Sequence, residues 1–386
     1  MWRAIGVALL LAGCAQLETE APQDQVFELS GRLAARQGEE AFTGNLSWRH
    51  AGSVDELLVT SPLGQGVARI VRKGDSVVLT TAEPREYRAP DVESLTEQAL
   101  GFRRLLERRN TNQFMPFARR LYAAMFAPLE PLLAEAGVDT VVFIPDGPLR
   151  GLPVGALYDG KGFLVERFAF ATAPGLTLVE PQAIAERDNL QILVNGITEA
   201  VQNFPALPYV GEEMESLKEL LPKGRFLRDA QFRLPVFEEE VKGKPYSIVH
   251  IASHGEFGSD PKASFVLTYD GKLSMDNLEQ VMKIARFRDD PIELLTLSAC
   301  KTAAGDERAA LGIAGVAVKA GARSALATLW YVSDEASSIL VTDFYRRLPT
   351  TSKAKALQEA QRAVLADQRF RHPGYWAPFL LIGNWL

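Results

Sequence analysis

Tyr246-Ser-Ile-Val-His-Ile-Ala-Ser-His254-Gly255-Glu256 and Ile292-Glu-Leu-Leu-Thr-Leu-Ser-Ala-Cys300-Lys301-Thr302 decide the architecture of this chain. Each is a short run of β-favouring, mostly apolar residues that stops at a small, polar loop. Such runs read as strands buried on both faces, inside a sheet with helices on either side. In sheets of that kind chemistry collects at the carboxyl ends of parallel strands. His254 and Cys300 stand at two such ends. A thiol is a nucleophile only as thiolate, and a neighbouring imidazole can take its proton and later return it to a leaving amine. Gly255 has no Cβ, so its backbone N–H can approach a developing oxyanion, and the N–H of Cys300 is the natural second donor. A cysteine that ends an apolar strand is often just a small buried hydrophobe, but position and order here favour a His254/Cys300 dyad. His250 and His254 lie about 13 Å apart along a strand. They cannot share a metal ion, and His250 is expected to be structural.

The residues around these strand ends carry a resemblance. Ile144-Pro-Asp-Gly-Pro-Leu-Arg150, Leu164-Val-Glu-Arg167, Val249 to Gly255, Leu297-Ser-Ala-Cys-Lys-Thr302, Ala320-Gly-Ala-Arg323, Leu329-Trp330 with Asp334, and Tyr375-Trp376 through Leu381-Ile-Gly-Asn-Trp385 together resemble a CHAT domain. The cover is about 115–386. The resemblance implies a caspase-like α/β fold of the clan that includes separase, with His254 and Cys300 matching the family's dyad. The 46-residue separation is close to the roughly 50 of the caspase arrangement. Asp334, just past the strand expected beside that of Cys300, either binds a basic substrate side chain or caps the helix that starts there. Asp306 and Glu307, in the loop after Cys300, are pocket candidates or solvated loop residues.

The remaining pattern between Asn112 and the C-terminus alternates strands with helices. Val138 to Ile144, Leu190 to Val194, Ser324 to Leu329 and Phe379 to Ile382 read as buried strands. Phe117 to Ala136, broken near Pro128 and Pro131, reads as helix, as do Glu212 to Leu221, Asp276 to Lys283, Leu311 to Ala320, Glu335 to Arg347 and Ser352 to Asp367. This predicts a largely parallel sheet flanked by helices. No tetratricopeptide-type period is present.

The N-terminal part is of another kind. Val26 to Arg36, Ala41 to Trp48, Glu56 to Thr60, Val67 to Val71 and Ser76 to Thr81 are strand candidates with turn signals between them, an antiparallel β meander. Asp91 then caps a helix whose Val92, Leu95, Ala99 and Phe102 share a side. Gly31-Arg-Leu-Ala34, Phe42-Thr-Gly-Asn-Leu-Ser-Trp48, Ser61-Pro-Leu-Gly-Gln65 and Tyr87-Arg-Ala-Pro-Asp-Val92 resemble the first half of LolB, the outer-membrane lipoprotein receptor. The resemblance implies a partial open barrel over 26–102, with Leu63 at the family's exposed loop leucine and possible contact with lipoproteins. The basic stretch Arg103 to Asn112 marks the domain boundary, or continues the helix through Leu105 and Leu106.

Met1-Trp-Arg3, the apolar run Ala4 to Leu10 and Leu11-Ala-Gly-Cys14 form a secretory signal too short to span a bilayer permanently. Its last four residues resemble a bacterial lipobox, which implies cleavage before Cys14, diacylglycerol on its sulfur, and delivery to the outer membrane, facing the periplasm. Residues 1–13 are then the signal and 14–25 a solvated tether. Cys14 and Cys300 are the two cysteines of the 386 residues. With Cys14 lipidated, no internal disulfide can form.

A hydrophobic content of 47% and a net charge of −6 describe a globular chain with no basic surface for nucleic acid. No cofactor or metal is implied by any motif. The leading reading is a membrane-tethered cysteine endopeptidase acting on protein or peptide. One alternative is a lipoprotein carrier with a CHAT scaffold. Another is a fusion of two fragments in which neither function survives.

Overall fold

The computed structural model describes residues 26–386 apart from 38–39, 62–65, 75, 82–85, 91, 146, 174, 176–178, 180–181, 185–189, 258–263, 287–291, 299–300 and 303–321. Cys14, Leu63, Cys300, Asp306, Glu307 and the helix expected at 311–320 therefore lie outside the described residues. The chain divides into two compact units, and the larger holds Ala99–Tyr122 and Glu130–Leu386.

The smaller unit carries six strands: β1 (Val26–Gln37), β2 (Glu40–Ala51), β3 (Val54–Thr60), β4 (Gly66–Lys73), β5 (Ser76–Thr81) and β6 (Glu86–Pro90). Each pairs antiparallel with the next, so the sheet is an open meander with β1 and β6 at its edges. Five strands are expected from sequence, and β6 is the addition. Pro90 hides it, because a proline breaks a strand pattern, yet on an edge its missing N–H costs nothing. The turn glycines Gly52 and Gly74 both take positive φ, +59° and +56°, as tight hairpins require. Every residue of β3 is half-buried. Asp55 gathers three donors, from Trp48 Nε1 at 3.1 Å, His50 Nδ1 at 2.7 Å and Arg72 Nε at 2.8 Å. Helix α1 (Val92–Leu106) then runs unbroken through Arg103, which is the continuous-helix alternative. Its Ala99, Phe102 and Leu106 are buried, as the periodicity requires.

After α1 come α2 (Met115–Met125), a 3-10 turn at Ala127–Leu129 and α3 (Glu130–Glu135), so the expected helix is broken at its prolines. An eight-stranded sheet follows, built from β7 (Thr140–Phe143), β8 (Ala169–Thr172), β9 (Ile192–Gly196), β10 (Arg225–Arg228), β11 (Ile248–Ala252), β15 (Leu294–Ser298), β17 (Ser324–Thr328) and β18 (Phe379–Gly383). Its order is β10-β9-β11-β15-β17-β18-β8-β7. Every pairing is parallel except β17 with β18. A smaller sheet, β14-β13-β12-β16, is made of β12 (Gly255–Phe257), β13 (Phe265–Leu267), β14 (Lys272–Ser274) and β16 (Lys301–Thr302). The helices are α4 (Pro208–Leu220), α5 (Leu234–Gly243), α6 (Met275–Arg286), α7 (Asp334–Arg347) and α8 (Lys353–Ala366).

Strands β11, β15 and β17 are buried at every position, as continuous apolar runs in a two-sided sheet should be. One core cluster brings Leu193, Phe232, Phe237, Ile251, Met282, Leu295 and Leu297 together. β7 departs from expectation. It is an edge strand with all four residues half-buried, because only one neighbour covers it.

The reversal at β17/β18 depends on one glycine. Gly383 has φ +97°, and a Cβ there would meet the carbonyl oxygen of Arg323 at 2.4 Å. Gly383→Ala is therefore expected to lower stability by about 2–4 kcal/mol. Urea unfolding of the two proteins checks this, and an unchanged midpoint would remove the close approach as a constraint.

Candidate active site

The chain leaves β9, crosses through α4 to β10 on one side, then returns through α5 to β11 on the other side of β9. The order reverses between β9 and β11, and the crevice beyond their carboxyl ends is where open α/β sheets bind ligands. The loop after β9 and the residues after β11 meet there.

His254 follows β11 and is 9% exposed. Two bonds fix its backbone: Leu267 N donates to His254 O at 2.7 Å, and Ser253 Oγ donates to Leu267 O at 2.7 Å. Its Nε2 lies 2.7 Å from the carbonyl oxygen of Pro205. A carbonyl only accepts, so Nε2 carries the hydrogen, and in the neutral ring Nδ1 keeps the lone pair. The Phe204 ring lies over the imidazole, with centroids 5.1 Å apart and planes inclined at 34°. Gly255, buried, begins β12 and pairs with Val266.

Residues 299–300 are outside the described residues, but both flanks are described. Ala252 pairs in parallel with Ser298, and Glu256 pairs in parallel with Lys301. These pairs close an interval that holds Ser253, His254 and Gly255 on one side and positions 299 and 300 on the other.

Beneath this interval is a buried polar network. Glu213 of α4, 1% exposed, places Oε1 2.7 Å from His250 Nε2 and accepts from Ser298 Oγ at 3.1 Å. Tyr345 of α7 donates to Thr296 Oγ1 at 2.8 Å, and its hydroxyl lies 3.3 Å from His250 Nδ1. Burial holds the Tyr345 phenol well above its ordinary range. His250 thus faces helices α4 and α7, away from the site.

Asp334 is the first residue of α7, yet the helix it caps is another one. Its Oδ2 accepts from the N–H of Tyr209, near the start of α4, at 2.9 Å. Leu207, at the N-cap of α4, offers no side-chain acceptor, so Asp334 supplies it. Burial pushes its carboxyl up to about 6; the Tyr209 bond works against this, and Glu213 and Glu212 add to it.

Phe204, Pro205 and Glu213 are the residues that sequence reasoning missed. Gln202-Asn203, a turn-forming pair just before Phe204, is the one local signal. Among the described residues no group of three His, Cys, Asp or Glu could hold a metal ion, and no helix is long and apolar enough to cross a membrane.

Residues 115–384 match the CHAT domain, and the chain belongs to that family. Residues 25–105 match a second family, the outer membrane lipoprotein LolB. The chain is 42% identical over 102 residues to the outer-membrane lipoprotein LolB of Thiobacillus denitrificans, covering 25% of this chain and 55% of that protein. It is 40% identical over 114 residues to the LolB of Nitrosomonas europaea, covering 25% and 54%. It spans about half the length of the curated relatives it matches. Among solved structures, the Arg specific cysteine proteinase gingipain R aligns with a TM-score of 0.44 at 10% identity, over 76% of this chain and 75% of that one.

The Asp334 geometry sets a pH dependence. A folded carboxyl with its pKa raised from 3.8 to about 6 holds its proton more tightly than the unfolded one. Its contribution to stability therefore falls as pH rises through that window. Asp334→Asn keeps an acceptor for Tyr209 and removes the charge. Its denaturation midpoint should gain on wild type from about pH 4 to about pH 7. A difference that stays flat with pH would show that the carboxyl is not strained by its surroundings.

Proposed function

We propose that this chain is a lipid-anchored cysteine endopeptidase of the CHAT type, with Cys300 as nucleophile and His254 as base and then acid. The observation that carries the reading is the pair of parallel registers, Ala252 with Ser298 and Glu256 with Lys301, which bracket His254 and position 300 together. The orientation of the imidazole supports it: Nε2–H is engaged by Pro205 O, so Nδ1 is the nitrogen that takes the thiol proton. The thiolate then attacks the peptide carbonyl carbon, and the N–H groups of Gly255 and Cys300 receive the oxyanion. Collapse breaks the C–N bond, and the amine leaves with the proton from Nδ1. Water, deprotonated by the same nitrogen, hydrolyses the thioester and frees the thiol. Asp334 and Asp306 are the acidic groups assigned toward a basic substrate side chain. Oδ2 of Asp334 already serves Tyr209, so its cap role has the stronger support.

The N-terminal region is assigned as an anchor. The LolB match and the names of its relatives support an outer-membrane location, and the Leu11 to Cys14 lipobox supports acylation at Cys14. The six-stranded antiparallel meander supports assigning this region to part of a LolB-like barrel. A second reading, a lipoprotein carrier using Leu63, rests on the same match. It is set second because the chain spans only about half of those relatives.

A peptide library incubated with the purified protein tests the enzyme. Cleavage should be lost in Cys300→Ala and in His254→Ala, while both variants still unfold cooperatively. Alkylation of Cys300 should persist below the pH at which a free thiol of pKa about 8.5 falls silent. Cleavage that survives Cys300→Ala would end this reading. For the anchor, labelled fatty acid should enter wild type in a bacterial host and fail to enter Cys14→Ser; label retained in the variant would remove the lipid. Restored lipoprotein delivery in receptor-depleted cells, lost on Leu63→Glu, would promote the carrier.

A further inference from the structure

The hairpin Val201–Pro205, in the loop after β9, is built at a conformational cost that its own contacts do not explain. Val201 and Phe204 form an antiparallel bridge, closed by Phe204 N donating to Val201 O at 2.9 Å. The two residues between them, Gln202 and Asn203, both have positive φ, +50° and +69°. That is the pattern of a type I′ turn, which glycine accepts freely and which strains other residues. Strain of this kind persists only where the surroundings over-determine it, and it clusters at functional sites.

The surroundings here do over-determine it. The Gln202 carboxamide nitrogen lies 3.0, 3.2 and 3.4 Å from the carbonyl oxygens of Thr268, Tyr269 and Gly271. These belong to the turn between β13 and β14, and β13 is the strand whose Leu267 fixes the His254 backbone. At the base of the loop, Thr198 N and Oγ1 donate to the Asp229 carboxylate at 2.6 and 2.7 Å, and Leu207 N donates to Thr198 O at 3.0 Å. Held at both ends, the hairpin delivers two groups to one imidazole, the Phe204 ring on its face and the Pro205 carbonyl on Nε2. Phe265 of β13 backs the Phe204 ring at 6.2 Å in an edge contact.

We infer that Gln202, Asn203 and Phe204 are positioning residues, a strap that holds His254 in the Nε2–H tautomer and so keeps the lone pair on Nδ1. The inference rests on the proposed dyad for its effect on cleavage, but not for its effect on the imidazole. Without the strap the ring can rotate about its own bonds and exchange tautomers. With it, one face, one edge and one nitrogen are specified by a backbone turn that leaves the strands themselves unstrained.

The test uses the full-length protein and two readouts. The chain has four histidines, so a two-bond proton–nitrogen correlation of the imidazoles, assigned with His254→Gln, reads the tautomer of His254 directly. At a pH where the imidazole is neutral, above that of the thiolate–imidazolium pair in wild type, both wild type and Cys300→Ala should show the Nε2–H form alone. Asn203→Val, whose branched side chain resists positive φ, and Phe204→Leu should each give a mixture of tautomers. Each should also lower kcat by about 10- to 100-fold with KM changed far less. The conservative replacements Asn203→Gly and Phe204→Tyr, which keep the turn and the ring face, should rescue both readouts. Loss of kcat in Asn203→Val with a single, unchanged tautomer would overturn the strap, as would failure of Asn203→Gly to rescue. If Cys300→Ala still cleaves peptide, the dyad fails, and the spectrum alone then decides the strap by the same criteria.

Discussion

One carboxylate oxygen joins the two strands on which the site stands. Oε1 of Glu213 lies within hydrogen-bond distance of His250 on β11 and of Ser298 on β15, and all three side chains are buried. A buried carboxylate without partners would cost several kcal/mol, so α4 has one seating that satisfies it. That seating fixes the start of α4, and with it the preceding loop that reaches over β11. Asp334 secures the same helix start from the neighbouring strand-to-helix connection. Side chains of β11 and β15 and the first residue of α7 thus all meet one helix.

The opposite, amino-terminal end of the sheet is also tied by charge, but differently. Glu293, just before β15, lies 3.3 Å from Arg323, just before β17, and 3.9 Å from the fully buried Lys353 at the start of α8. Burial raises the Glu293 carboxyl, and the two cations pull it back. Such a buried cluster adds little net stability, because desolvation offsets its Coulombic gain. The carboxyl end, by contrast, is organised by single directed hydrogen bonds.

Much of the fold could be read from sequence because the central strands are unambiguous. A strand buried on both faces is mostly apolar at every position, and β11, β15, β17 and β18 read so apart from a few small or paired polar residues such as His250 and Thr296. The edges were less legible. β10, Arg225-Phe-Leu-Arg228, is short and charged at both ends, and β14 has three residues, so neither carries a period. β8, four residues long, carries no period of its own, and no strand is expected from the sequence there. Helix α5 begins at Leu234-Pro235 and holds a run of three glutamates, which obscures its apolar face. At the candidate site, His254 drew notice by its place at a strand end. The group that orients it did not, because a backbone carbonyl such as that of Pro205 has no side-chain signature. Asp334 was legible as a cap, though not as the cap of a helix more than a hundred residues earlier.

The unequal interval between the paired positions has a consequence for what the chain tolerates. Between Ala252 and Glu256 there are three residues, and between Ser298 and Lys301 there are two. Side chains alternate faces along a strand, so a change of one residue reverses every later side chain. An insertion after Ser298 would turn β16 over relative to β12, and a deletion after Ala252 would turn β12 over relative to β13. Chemically mild substitutions in this stretch leave that parity intact, whereas any change of length destroys it. Chain length between the two sheets is thus constrained by the two registers that bracket it.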